Sequence, residues 1–124
     1  MFEVTVEQTF AAGHSLREYK GKCENVHGHN YRVQVTVQGK ALNRIGLLVD
    51  FVDLKRAVRE VIARLDHQFI NDLEPFTTVN PSAENLSKYF YDEVSSALTL
   101  EPGVRIAQIR IWETDTSIAV YTPD

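Results

Sequence analysis

The chain has 124 residues, 44% hydrophobic and 24% charged, with only 6 Gly and 4 Pro; that suits one domain with one core and excludes disordered or collagen-like sequence. The 13 Lys and Arg against 17 Asp and Glu leave a formal net charge of −4, and no basic run is longer than a pair, so the footprint of a nucleic-acid binder is missing. No apolar stretch approaches the ~20 residues of a membrane span, the first residues do not read as a signal peptide, and the single cysteine excludes an intrachain disulfide. These features point to a soluble, cytoplasmic protein with no membrane or nucleic-acid partner, residues 1–124 forming one domain.

Phe2, Val4 and Val6 alternate with Glu3, Thr5 and Glu7, which predicts a strand over Phe2 to Phe10. A polar loop follows from about Ser15 to Asn25. Tyr31, Val33, Val35 and Val37 alternate with polar neighbours and predict a second strand, paired antiparallel with the first. Gly39 to Gly46 reads as a turn and Leu47 to Phe51 as an extended lead-in. Leu54, Ala57, Val58, Val61, Ile62 and Leu65 then make one helical stripe, with Asp53 as the expected N-cap. After Pro75 and Pro81, Ser82 reads as the N-cap of a second helix whose stripe is Leu86, Phe90, Val94 and Ala97 or Leu98. Arg105 to Glu113 and Ser117 to Thr122 read as two closing strands. The order β-β-α-α-β-β predicts an α+β fold, two helices covering one face of a four-stranded antiparallel sheet. Its open edges would be closed by joining other copies into an oligomeric barrel.

The densest chemical signal is Cys23-Glu24-Asn25-Val26-His27-Gly28-His29-Asn30-Tyr31. His27 and His29 share strand parity, so their imidazoles leave one face about 6.6 Å apart along the strand and can converge on a metal. Gly28 leaves the space between them unobstructed. His14 ends the first strand, where antiparallel pairing brings it beside them. Three neutral imidazoles with an open fourth position make a catalytic type of zinc site; two surface histidines and a polar strand end are the bland alternative. Cys23 has three possible roles: a fourth ligand, a free thiol acting as base beside the metal, or an inert buried residue. Asp66-His67 just past the first helix resembles the base-orienting half of a catalytic triad, against the alternative of a histidine favoured by the helix dipole. Glu113 ends an apolar strand, either at a wet rim or aimed into a pocket where it would accept the guanidine-like edge of a pterin or guanine.

These residues, in this order, resemble the 6-pyruvoyl-tetrahydropterin synthase/6-carboxytetrahydropterin synthase family over nearly the whole chain. The matching pieces are Ala11-Ala12-Gly13-His14, the cysteine with His-Gly-His-Asn-Tyr, Gly46 to Phe51, Leu65 to Asn71, Asn80 to Asn85 and Trp112-Glu113-Thr114. The resemblance implies the tunnelling fold (T-fold) and a homo-oligomer, typically a hexamer built from two trimers. It implies that His14, His27 and His29 bind Zn2+, that Cys23 is proton acceptor rather than ligand, and that Asp66 and His67 complete a relay. Glu113 would anchor the pterin ring, and Ser82-Ala83, from a neighbouring subunit, would meet it too. Ala83 replaces the more usual Thr or Ser, so that contact would be through backbone. The three residues between Cys23 and His27 look like the bacterial branch of 7-deazaguanine (queuosine) synthesis. The implied reaction is that of a zinc-dependent carbon–carbon lyase. It converts 7,8-dihydroneopterin triphosphate to 6-carboxy-5,6,7,8-tetrahydropterin, with loss of acetaldehyde and triphosphate. The rivals are the sister reaction stopping at 6-pyruvoyl-tetrahydropterin, and a non-catalytic binding module with a closed Cys/His zinc. Arg17, Lys20 and Lys22 are candidates for the triphosphate by charge and position alone.

Overall fold

In a computed structural model, which describes residues 1–19, 21 and 24–124, two long strands dominate. β1 (Phe2–His14) and β2 (His27–Gly39) pair antiparallel along their whole length, from Phe2↔Gly39 to His14↔His27. Both run beyond the hydrophobic alternation that predicts them. Ala11-Ala12-Gly13 and Gly28-His29-Asn30 carry no apolar alternation, yet their backbones stay in the ladder. Next come α1 (Phe51–Leu65), a single 3-10 turn at Ile70–Asp72, α2 (Ala83–Ala97), β3 (Arg105–Thr114) and β4 (Ser117–Tyr121). The sheet order is β1-β2-β3-β4, so each strand lies beside its sequence neighbour.

The helical stripe is buried as predicted: Leu54, Ala57, Val58, Val61, Ile62 and Leu65 all face the sheet. In α2 the buried residues are Leu86, Ser87, Phe90 and Val94. They meet Val6 and Phe10 of β1, the Tyr31–Val37 row of β2 and Ile106, Ile109 and Ile111 of β3 in one core. The predicted caps divide. Ser82 caps α2, its hydroxyl accepting the Asn85 N–H at 3.1 Å. The N-cap of α1 is Asp50 rather than Asp53: its carboxylate accepts the Val52 N–H at 2.8 Å, and Asp53 sits in the first turn. Phe51 and Val52 are exposed and off the buried stripe, so the apolar pattern starts one turn after the helix does.

Across β1 and β2 the helix-free face of the sheet is polar, and directly opposed side chains bond there. Gln38 donates to Glu3 and Gln34 to Glu7, both at 2.7 Å, and the Thr5 and Thr36 hydroxyls are 3.0 Å apart. Cross-strand pairs of this kind stabilise a sheet and pin its register.

The far end of this pair, where β1 stops and β2 starts, carries the chemistry. The chain leaving α1 docks there: His67 N–H donates to Ala11 C=O at 2.6 Å, and Gly13 N–H to Gln68 C=O at 2.9 Å. Two carboxamides then clamp the segment after His14. Asn71 bonds both the N–H and the C=O of Ser15, at 2.9 Å each. Asn80 does the same for Arg17, at 2.9 and 3.0 Å.

Asp50→Ala should destabilise the protein by about 1 kcal/mol through the lost cap, and Asp53→Ala by less than about 0.5 kcal/mol, since it touches only the helix dipole and an exposed pair. Urea unfolding of the two variants checks this; an equal cost would reinstate Asp53 as the cap.

Candidate active site

The pairs His14↔His27 and Ala12↔His29 place three imidazoles on the helix-covered face, just past the core. Their ligand atoms all lie within 4.8 Å of one another. His14 is fully buried, while His27 and His29 are half-buried. Backbone carbonyls settle two of the tautomers. His14 Nδ1 lies 2.7 Å from Pro81 C=O, and His27 Nδ1 lies 2.7 Å from Asn25 C=O. A carbonyl only accepts, so each Nδ1 carries the proton and each Nε2 of the neutral ring presents a lone pair. Those two Nε2 atoms face each other at 3.0 Å. The third, His29 Nε2, is buried with no hydrogen-bond partner among the described residues.

Burial pushes both His14 and His29 below the ordinary imidazole value of 6.5, opposing protonation, although the Glu113 carboxylate pulls the other way. Lone pairs converging at this range repel unless an electron-poor centre lies among them. Tetrahedral zinc, with Zn–N near 2.0–2.1 Å, places its nitrogens ~3.3 Å apart. The donor set therefore fits a metal held by three histidines, each locked ring bonded to a carbonyl behind it. Imidazole ligands suit zinc, and also iron, copper or nickel.

Glu113 stands beside the histidines, its carboxylate 3.5 Å from His29 Nε2 and 4.0 Å from His14 Nε2. It belongs to the irregular end of β3, where the pairing with β4 slips between Trp112 and Thr114. It also lines a cleft of about 270 Å³ with Ala83 and Glu84 of α2 and residues 117–120 of β4. A second cleft, about 400 Å³, is lined by residues 11–13 of β1, residues 28–30 of β2, His67 and Gln68. A Cβ on Gly28 would meet only Ala12 C=O, at 3.5 Å. Glycine is thus not needed for close packing between the histidines; it leaves the cleft floor open.

Asp66 and His67 form the expected pair, His67 Nδ1 lying 3.1 Å from Asp66 Oδ1. Asp66 also accepts the Ala11 N–H at 3.0 Å, and that bond first, then His67, holds its carboxyl below the usual aspartate value. His67 adopts φ = 60°, a left-handed conformation uncommon for a residue with a Cβ, and its ring is largely exposed in the second cleft. Ala83 lines the same cleft as Glu113 of its own chain. The Ser82 hydroxyl is occupied by the helix cap. Cys23, Lys20 and Lys22 lie outside the described residues. The Arg17 guanidinium binds the carbonyls of Phe76 (2.6 Å), Val79 (3.3 Å) and Asn71 (3.5 Å), bracing the 71–80 segment.

Over residues 3–124 the chain matches the family described as 6-pyruvoyl tetrahydropterin synthase. The chain belongs to this family. It is 39% identical over 132 residues to a 6-pyruvoyl tetrahydrobiopterin synthase of Poecilia reticulata, spanning 95% of this chain and 88% of that one. It is 38% identical over 128 residues to a 6-carboxy-5,6,7,8-tetrahydropterin synthase of Bacillus subtilis, spanning 98% and 86%. The solved 6-pyruvoyl tetrahydropterin synthase of Caenorhabditis elegans superposes with a TM-score of 0.86 at 29% identity, covering 100% of this chain and 98% of that one. The Plasmodium falciparum 6-pyruvoyl tetrahydropterin synthase shares the fold, with a TM-score of 0.80 at 24% identity over 97% and 96%. The expected T-fold is therefore the fold of this chain, and its family relatives are pterin synthases. No described helix is long and apolar enough to cross a membrane.

Sequence reasoning misses the backbone partners. Nothing in the residue types at Pro81 and Asn25 announces that their carbonyls orient His14 and His27. Asn71 and Asn80 fall inside the family-like segments, but their clamping of Ser15 and Arg17 needs the fold to be seen. Tyr31 is missed as well. It reads as an ordinary strand apolar, yet it is fully buried with its hydroxyl unpartnered beside the histidines.

Metal titration followed by elemental analysis should find one divalent ion per chain, with His14→Ala and His29→Ala each weakening binding by more than about 100-fold, beyond the effect of losing an outer partner. Retention by both variants would remove the metal assignment. An NMR titration should find the Asp66 carboxyl below 3.8, the free value. Since its folded value is depressed, its stabilising contribution is complete above 3.8 and disappears as pH falls through the folded value; a carboxyl titrating at or above 3.8 contradicts the hydrogen bond to Ala11.

Proposed function

We propose that this protein is a zinc-dependent 6-carboxy-5,6,7,8-tetrahydropterin synthase, a carbon–carbon lyase of 7-deazaguanine (queuosine) synthesis. Its substrate is 7,8-dihydroneopterin triphosphate, and acetaldehyde and triphosphate leave. The observation that carries this reading is the convergence of three imidazole Nε2 atoms beside one carboxylate that lines a cleft. Curated relatives with the carboxy activity and with the pyruvoyl activity have similar identities, so the choice between them rests on the short Cys23-to-His27 spacing.

His14, His27 and His29 would hold the zinc, which when bound supplies a Lewis acid for the substrate's side-chain oxygens. Glu113 accepts hydrogen bonds from the guanidine-like edge of the pterin in the smaller cleft, fixing the ring so that its side chain runs toward the histidines. Ala83 contributes only backbone there, through the N–H groups at the start of α2 that have no partner inside the helix. Cys23 accepts a proton from the substrate side chain. Asp66 holds His67 through Nδ1, which leaves the exposed Nε2 to exchange a second proton with substrate in the larger cleft. Assembly into a homo-oligomer, a hexamer of two trimers, is supported by the short edge strand β4, which presents exposed Ile118 and Val120. A cytoplasmic location goes with this reading.

Zinc-loaded protein incubated with 7,8-dihydroneopterin triphosphate should yield acetaldehyde and 6-carboxytetrahydropterin in equal amounts. Cys23→Ala and His67→Ala should each lower turnover by about 10²- to 10⁴-fold, the range for losing a general base, with zinc content unchanged. A pyruvoyl product without acetaldehyde moves the chain to the sister activity. Loss of zinc together with Cys23 would favour the closed-site binding module.

A further inference from the structure

Three buried side-chain atoms among the described residues have no hydrogen-bond partner: His29 Nε2, Arg110 Nε and Tyr31 Oη. The first faces the metal position. Arg110 lies near Trp112, 5.7 Å from its ring centroid, on the helix-free side. Tyr31 has no such account. Its ring is fully buried, stacked on Phe10 at 4.9 Å and edge-on to His29 and His14 at 5.5 and 6.0 Å. A phenylalanine would pack the same ring without burying an unpaired hydroxyl, which is a costly thing to keep in a core.

The missing acceptor lies across the sheet. β2 and β3 pair Val33↔Ile111 and Arg32↔Trp112, so one step further the antiparallel register sets Tyr31 opposite Glu113. Directly opposed side chains on one face of a sheet have Cβ atoms about 5 Å apart. Glu113 is the complementary case: its carboxylate accepts no hydrogen bond from a described residue, and its close contacts are His29 and His14, at 3.5 and 4.0 Å. A donor without an acceptor therefore faces an acceptor without a donor. In this structure the carboxylate lies toward the Nε2 atoms of His29 and His14.

We propose that Tyr31 is a positioning residue for Glu113: in the ligand-bound site its hydroxyl donates to the carboxylate and turns it into the cleft beside Ala83. A carboxylate has about four lone-pair positions, so one bond from Tyr31 leaves both oxygens able to accept the guanidine-like edge of a pterin. The hydroxyl thus sacrifices some stability of the empty fold for a preset carboxylate in the filled one. This inference rests on the pterin reading of the site, and its test separates the two.

The test is neopterin binding to zinc-loaded protein, read by fluorescence titration, alongside urea unfolding of the metal-free protein. Tyr31→Phe should bind neopterin about 10- to 100-fold more weakly, the range for losing a hydrogen bond to a charged group, with zinc content unchanged and stability equal or higher. In a Glu113→Gln background the same change should cost less than about threefold, because the two act as a unit. Unchanged affinity in Tyr31→Phe, or an undiminished loss on top of Glu113→Gln, overturns the proposal. So does a Tyr31→Phe protein that is clearly less stable, since the hydroxyl would then have a partner in the empty fold. If the unmutated protein does not bind neopterin, the pterin reading fails first and takes the role of Tyr31 with it.

Discussion

The pairing register of β1 with β2 is the constraint on which the site depends. His14↔His27 and Ala12↔His29 are the last rungs of a ladder that begins at Phe2↔Gly39. A slip of one residue would send His14 to the opposite face from His27 and His29, because side chains alternate along a strand. The register is held elsewhere. The Tyr31, Val33, Val35 and Val37 row is buried under the helices, and the Glu3–Gln38, Thr5–Thr36 and Glu7–Gln34 pairs bond on the other side. The distance between those anchors and the histidines explains how a strand end without apolar alternation is still placed accurately.

Around that ladder the fold supplies rigidity through main-chain groups. Pro81 and Asn25 carbonyls fix two imidazoles, residues 67 and 68 bond the edge of β1, and the Asn71 and Asn80 carboxamides fasten the segment beyond it. Five separate stretches of chain thus meet at one end of the sheet. Carbonyls are well suited to this purpose, since they impose a tautomer on an imidazole without adding a charge near the lone pairs on its other side. Glu113 stands beside His29 and His14, and the slipped end of β3 brings it there.

Much of this was legible in the sequence. Alternation located four strands, one 3.6-residue stripe located α1 to within a turn, and Ser82 was a correct cap. The three histidines followed from parity plus antiparallel pairing, the same rules that set the register. What escaped detection has one physical origin: it is made by backbone or by positions relative to distant chain. The apolar stripe begins only at Leu54, which points to Asp53 as the cap, while the exposed Phe51 and Val52 already belong to the helix and leave that place to Asp50. For Arg17, composition reports the charge but not the three carbonyls that its guanidinium binds. Tyr31 looked like core because it is core; only its hydroxyl is out of place.

The left-handed turn at residue 67 has a further consequence. At φ = 60° a glycine or asparagine would sit more comfortably than histidine, and neither could exchange a proton with a bound molecule. On the proposed reading, stability and chemistry therefore pull this one position in opposite directions. Variants gathered by screening for heat resistance alone would drift toward glycine there, giving sturdy proteins with the three histidines in place and no imidazole at position 67. In a lineage that has lost its need for the reaction, residue 67 should be among the earliest of the site residues to change, well before the histidines whose carbonyl partners tie them into the fold.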